Sequence, residues 1–232
     1  MKQRSPGIYI GLIVAIILGF GIIGGVALGI QSIKGLGYQP DVLRATKTGP
    51  NTATLEISTF PDGLVCHSNA DNQQINWVTY CPSTNLEVPA NSIVTVIIKQ
   101  YDSSSTLVNN YFSKVQGTIG GVANVNNKPV SQLDPGAIAH TFTIQSPPNS
   151  PNSLFVSVPL AGVPDNAPNV TVDGNTYPKP NIITFQFRTG GPCACLWHCY
   201  IPCGSDRGIP YGFSGPMSTT GFMAGTVTVT NY

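Results

Sequence analysis

Beyond residue 50 the chain alternates. Thr54-Leu-Glu-Ile-Ser sets polar against apolar positions with period two, the pattern of a strand with one wet face. Ser92-Ile-Val-Thr-Val-Ile-Ile-Lys is β-branched and long enough for a core strand. The runs His140–Ile144, Ser153–Val158, Asn181–Phe187 and Gly225–Thr230 continue the pattern. Turn-rich stretches separate them at Asp102–Ser105, Asn124–Pro129, Ser146–Asn152 and Pro164–Pro180, and the long ones read as surface loops. No long amphipathic helix competes. An all-β, antiparallel sandwich over residues 51–232 is the expected fold.

The N-terminal pattern is different. Ile8 to Ile30 is apolar and carries no charge. As a helix it would be about 34 Å long, enough for one crossing of a bilayer. Lys2 and Arg4 precede it and only Lys34 follows closely, so the positive-inside bias puts the N-terminus in the cytoplasm and the sandwich outside. Residues 1–34 are thus read as cytoplasmic N-terminus and single transmembrane anchor, and residues 35–50, with Gly35, Gly37, Pro40, Gly49 and Pro50, as a tether. Gly21, Gly25 and Gly29 recur every fourth residue, as do Gly11, Ala15 and Gly19, a spacing that lets a partner membrane helix approach closely.

Composition narrows the function. Charged residues make up 9% of the 232 and the formal net charge is +1. Nucleic acid would require a basic surface, so it is excluded as a partner. No Ser–His–Asp order, phosphate loop or paired carboxylate has usable spacing, so the chain offers little for acid–base catalysis. The six cysteines are Cys66, Cys81, Cys193, Cys195, Cys199 and Cys203. An extracytoplasmic compartment permits disulfides, and Cys66 and Cys81 flank a polar loop as the natural local pair. Asn169-Val-Thr is a sequon for N-glycosylation.

The stretch Phe185 to Val229 carries the candidate chemistry. If Phe185 to Cys199 is extended, Cys193, Cys195, Trp197 and Cys199 share one face. His198 then points away from Cys199 and is a poor co-ligand for it. Trp197, Met223 and Met217 have a plain reading as core, His140 as a buried core histidine, and His67 as an exposed residue beside a disulfide. Cys199 and Cys203 have one as a disulfide, to each other or to Cys193 and Cys195.

The order PANSIVTVIIKQYD, AHTFTIQ, ITFQFRTGGP, WHCYIPCG, MAGTVTV resembles the cupredoxin superfamily, where an upstream His joins a late Cys–His–Met cluster. Within it the chain looks most like subunit II of haem-copper oxidases, which has an N-terminal anchor, an outer Greek-key cupredoxin domain and a copper motif Cys-x3-Cys-Gly-x2-His-x2-Met before a strand. Cys199, Cys203 and Gly204 match that spacing, Met223 matches the motif's end and His140 the upstream histidine. The motif is degenerate: no histidine follows Cys203, and an insert, Ser205 to Phe222, separates Gly204 from Met223. A second imidazole could come from His67 if the Cys66–Cys81 loop folds over the site, which nothing in the sequence demands. The resemblance implies copper held by His140, Cys199, Cys203 and Met223, a soft donor set that would also suit zinc. It implies electron transfer without catalysis of its own, integral membrane oxidase subunits as partners and a small redox protein as donor. With copper lost, the role would be structural docking. WHCYI is also similar to the His-Cys-His run of multicopper oxidases, but Tyr200 replaces the second histidine and too few histidines remain for their cluster. The rival reading is a metal-free, disulfide-stapled surface or filament sandwich.

Overall fold

The structure, a computed structural model, describes residues 41–68, 74–105, 107, 109–202 and 215–232. The expected anchor, Ile8–Ile30, lies outside these residues. Among those described, no helix is long and apolar enough to cross a membrane.

In chain order the strands are β1 (Val42–Arg44), β2 (Thr46–Gly49), β3 (Thr52–Phe60), β4 (Thr79–Cys81), β5 (Asn85–Pro89), β6 (Ile93–Gln100), β7 (Ala123–Val125) and β8 (Lys128–Val130). They continue with β9 (Ile138–Gln145), β10 (Phe155–Ala161), β11 (Asn169–Val172), β12 (Asn175–Pro178), β13 (Asn181–Arg188), β14 (Cys193–His198) and β15 (Ala224–Thr230). One sheet runs β1-β5-β15-β14-β9-β10 and the other β2-β3-β6-β13-β7-β8, with β4 paired to β3. Their facing sides share one core, to which Leu55, Val96, Ile98 and Phe185 contribute from one sheet and Phe142, Ile144, Trp197 and Val227 from the other. The all-β sandwich expected from the alternation is what the chain builds.

Several expectations need correction. The sheets are mixed rather than antiparallel: β3 runs parallel to β6, and β5 parallel to both β1 and β15. The chain leaves β3, visits β4 and then β5 on the opposite sheet, and returns to β6 with its direction restored. Residues 42–49, read as tether, are strands β1 and β2, because Leu43 pairs with Leu86 and Thr46 with Thr54. The extended run from Phe185 to Cys199 is broken. Thr189-Gly-Gly-Pro ends β13 on one sheet and starts β14 on the other, while Thr189 Oγ1 donates to the Pro89 carbonyl at 2.7 Å. Two loops conceal hairpins. Asn126 and Asn127 both have positive φ (49° and 66°), as do Asp173 and Gly174 (47° and 80°), which is the two-residue turn geometry that joins β7 to β8 and β11 to β12.

Strand β9 is buried along Ile138–Ile144 on both faces. Its inner face presents His140, Phe142 and Ile144; its outer face carries Thr141 and Thr143, with Thr143 Oγ1 bonded to Ser157 Oγ at 3.0 Å. Period two thus sets His140 toward the core.

Candidate metal centre

Cys199 sits one residue beyond β14. Its N–H donates to the Met223 carbonyl at 3.0 Å, so the β14–β15 ladder, whose last pair is His198 with Ala224, continues by one step. Residues opposed in an antiparallel ladder point to the same face. Cys199 and Met223 therefore face the core as neighbours, and both are fully buried. The parity expected for the late strand holds across its last residues: Cys195, Trp197 and Cys199 are buried, while Leu196 is 61% exposed and His198 partly exposed.

His140 meets this pair from β9. Its side chain hydrogen-bonds Cys199. Its Nε2 donates to Asp102 Oδ2 at 3.0 Å. The Thr141 N–H donates to Cys199 Sγ at 3.4 Å, and Tyr200 N–H donates to Thr141 Oγ1 at 2.8 Å. Burial alone would pull the His140 pKa down. The Asp102 hydrogen bond and charge, together with Cys199, outweigh it and raise the pKa to about 9.

Asp102 is itself held. Its N–H donates to Gln100 Oε1 at 3.1 Å, and its Oδ1 accepts from the Ser103 N–H at 2.7 Å. Gln100 Nε2 donates to the Asp102 carbonyl at 3.0 Å, and Gln100 Oε1 accepts from Thr59 Oγ1. The carboxylate is thus oriented by backbone and amide before it reaches the imidazole.

Aromatic rings wall the centre. Tyr80 lies edge-on to Trp197, centroids 4.5 Å apart, and to His140 at 6.3 Å. Its hydroxyl donates to the Thr141 carbonyl at 3.2 Å. Opposite Trp197 in the ladder stands Gly225, where an added Cβ would lie 2.0 Å from the Thr84 carbonyl oxygen. Met217 is buried nearby in chain terms, since the Met223 N–H donates to the Pro216 carbonyl at 3.1 Å.

His67 is buried, not exposed as expected beside its disulfide. Its ring stacks on Phe222, centroids 4.2 Å apart, and its Nε2 donates to the Gly221 carbonyl at 2.8 Å with Thr79 Oγ1 at 2.9 Å. The loop does fold toward the segment before Met223, yet that nitrogen is engaged by protein. Burial lowers the His67 pKa, partly offset by the Gly221 bond. Cys66 and Cys81 form the expected disulfide. Asn169 is exposed at the start of β11, so its sequon is accessible.

The structure therefore joins His140 to Cys199 through their side chains and Cys199 to Met223 through the backbone, whereas Cys203 lies outside the described residues. Among the described residues no three His, Cys, Asp or Glu side chains converge as a metal-binding group. An imidazole and a thiol meet here, with a buried methionine as the ladder neighbour of the cysteine, side-chain types that suit a soft ion such as copper better than a hard one. Sequence reasoning missed Asp102 and Tyr80. Asp102 stands in a turn-rich stretch, where aspartate is ordinary, and Tyr80 precedes a cysteine already assigned to a disulfide.

No family model and no curated protein matches the chain. Among solved structures it is similar to auracyanin B, with 17% identity over 80% of this chain and 94% of that one, at a TM-score of 0.32. It is also similar to reduced rusticyanin, with 13% identity over 83% and 87% of the two chains, at 0.37. A further rusticyanin structure, described as a copper protein, is 11% identical over 83% and 85%, at 0.36.

Proposed function

We propose that this chain is a cupredoxin-like electron-transfer domain that holds copper with His140, Cys199 and Met223. The observation that carries the reading is the Cys199–Met223 ladder step with the His140 imidazole on the same sulfur. Thiolate, imidazole and thioether together suit both oxidation states of copper, which when bound would supply one-electron transfer. The chain's own part is positional. Asp102 fixes the His140 tautomer and ring plane, as outer partners of metal-bound imidazoles do. The Thr141 N–H favours the Cys199 thiolate, and the packed Trp197 and Tyr80 rings keep water away. Cys203 is proposed as a further sulfur donor on its sequence spacing alone.

The apolar run Ile8–Ile30 and the charges of Lys2 and Arg4 support a membrane-anchored, extracytoplasmic placement. The Cys66–Cys81 disulfide suits the same side of the membrane. On that basis the domain would serve as a subunit II-like component of a respiratory oxidase complex, docked through its glycine-striped helix and receiving electrons from a small redox protein.

The test is copper loading of the full chain, followed by metal stoichiometry and thiolate-to-copper absorption. The expected result is one tightly held copper with a charge-transfer band that Cys199→Ser abolishes and Met223→Leu shifts. A chain that releases its copper on dialysis, with no such band, overturns the reading and leaves the metal-free, disulfide-stapled sandwich.

A further inference from the structure

Gly221, Phe222 and Met223 lead into β15, and every backbone N–H and C=O group along them is taken. The Met223 N–H goes to Pro216 and its carbonyl to Cys199, as described. The Phe222 N–H donates to the Thr219 carbonyl at 3.2 Å, and the Phe222 carbonyl accepts from the Tyr80 N–H at 3.1 Å. The Gly221 N–H donates to Thr84 Oγ1 at 2.7 Å. The Gly221 carbonyl accepts twice, from His67 Nε2 at 2.8 Å and from Thr79 Oγ1 at 3.2 Å.

The groups that hold Gly221 and the Phe222 carbonyl come from one stretch, residues 67–84. The Cys66–Cys81 disulfide ties that stretch together, since Cys66 adjoins His67 and Cys81 adjoins Tyr80. Rings grip the same segment: His67 stacks on Phe222, and Trp77 meets Phe222 edge-on with centroids 5.0 Å apart. Filling space would not require this arrangement. Burying an imidazole and a hydroxyl is costly unless both are bonded, and His67 and Thr79 are buried with their polar atoms on a single carbonyl. Gly221 has φ 100°, a region open to glycine, and a glycine does not fix its own conformation. The turn into Met223 is therefore set by what binds Gly221.

We propose that His67 and Thr79 are positioning residues for Met223: by fixing the Gly221 carbonyl they set the direction in which the chain enters β15, and so where the Met223 side chain projects. The inference rests on the proposed reading of Met223 as thioether donor, a group whose placement tunes the potential of a copper centre. In this role His67 acts through the backbone and is not a ligand.

Three variants of the full chain test it. His67→Leu removes ring and donor, His67→Gln removes the ring and keeps a donor for Gly221, and Thr79→Val removes the hydroxyl and keeps the shape. Neither His67 variant has a ring, so the difference between them isolates the bond. The first readout is the Met223 methyl signal of the metal-free chain labelled with carbon-13 at its methionine methyls, assigned with Met223→Leu. The signal is expected to move in His67→Leu and Thr79→Val and to return toward the parent position in His67→Gln. The reduction potential of the copper-loaded chain should move in the same order, with bound copper unchanged. If His67→Leu does not fold, Thr79→Val decides. A methyl signal left in place by Thr79→Val, or displaced as far by His67→Gln as by His67→Leu, overturns the proposal. Loss of copper from both His67 variants alike also overturns it, by making His67 a ligand. A parent chain that holds no copper refutes the proposed function, while the metal-free methyl signal still decides whether His67 and Thr79 position Met223.

Discussion

The Asp102 carboxylate and the His140 imidazole meet at 3.0 Å, with the histidine almost fully buried and the aspartate side chain 17% exposed. This contact joins the rim of the sandwich to a fully enclosed imidazole. Asp102→Asn keeps an acceptor for Nε2–H but removes the charge. The His140 pKa, about 9 in the native chain, then falls by more than one unit toward the value burial alone would set. Imidazole NMR titration, assigned with His140→Gln, reads this directly, and an unchanged midpoint would refute the role given to the carboxylate. The metal-free variant is also less stable at about pH 6, by about 2 kcal/mol, the worth of a charge-assisted buried bond.

The late strand shows how far the sequence reaches. Period two placed Cys195, Trp197 and Cys199 on the buried face, and the structure agrees, because alternation is a local property of extended backbone. The break at Thr189–Pro192 and the hairpins at Asn126-Asn127 and Asp173-Gly174 were written in turn residues that loop-like composition hid. Parallel pairing of β3 with β6 depends on which sheet the intervening strand joins, and no local pattern encodes that. His140, Cys199 and Met223 were legible as soft donors at suggestive spacing. Asp102 was not, since its role comes from a contact across 38 residues of chain.

Closing the Cys66–Cys81 link spans a sequence separation of 15. Chain-entropy reasoning assigns such a loop about 3 kcal/mol. The double variant Cys66→Ala/Cys81→Ala should therefore unfold roughly 10 °C lower. The loss extends to His67, one residue from the link, whose ring no longer stays on Phe222. A calorimetric Tm within a degree or two of the parent would show that packing of Tyr80, Phe60 and Tyr177, not the covalent link, secures this end.

Gly225 faces Trp197 across the ladder and sits under the Thr84 carbonyl. Gly225→Ala would bring a methyl to 2.0 Å from that oxygen, so backbone must move. Overpacking of this kind costs about 2 kcal/mol or more. Met223 immediately precedes the displaced strand, so under the proposed function the copper absorption band shifts as well. Denaturation midpoints alongside the spectrum separate the two effects. Ala tolerated with neither change would mean that β15 is looser than its burial indicates.

Two histidines give the apoprotein opposite pH slopes in separate windows. His67 has a native pKa below its unfolded value of 6.5, because burial penalises the charged ring. Below that value the unfolded chain binds a proton that native His67 does not, so stability falls as pH drops and levels off beneath the native pKa. His140 has its native pKa raised to about 9. Its contribution is whole below 6.5 and is lost as pH rises through 9. Stability of the metal-free chain should accordingly peak near the unfolded histidine pKa and decline on both sides. Urea midpoints across about pH 5 to about pH 9 trace the profile, the lower limit staying above most carboxylate titration. His67→Gln should flatten the acid side alone, because the amide still donates to the Gly221 carbonyl, and Asp102→Asn should flatten the alkaline side. A profile whose acid limb survives in His67→Gln would assign that limb to carboxylates instead.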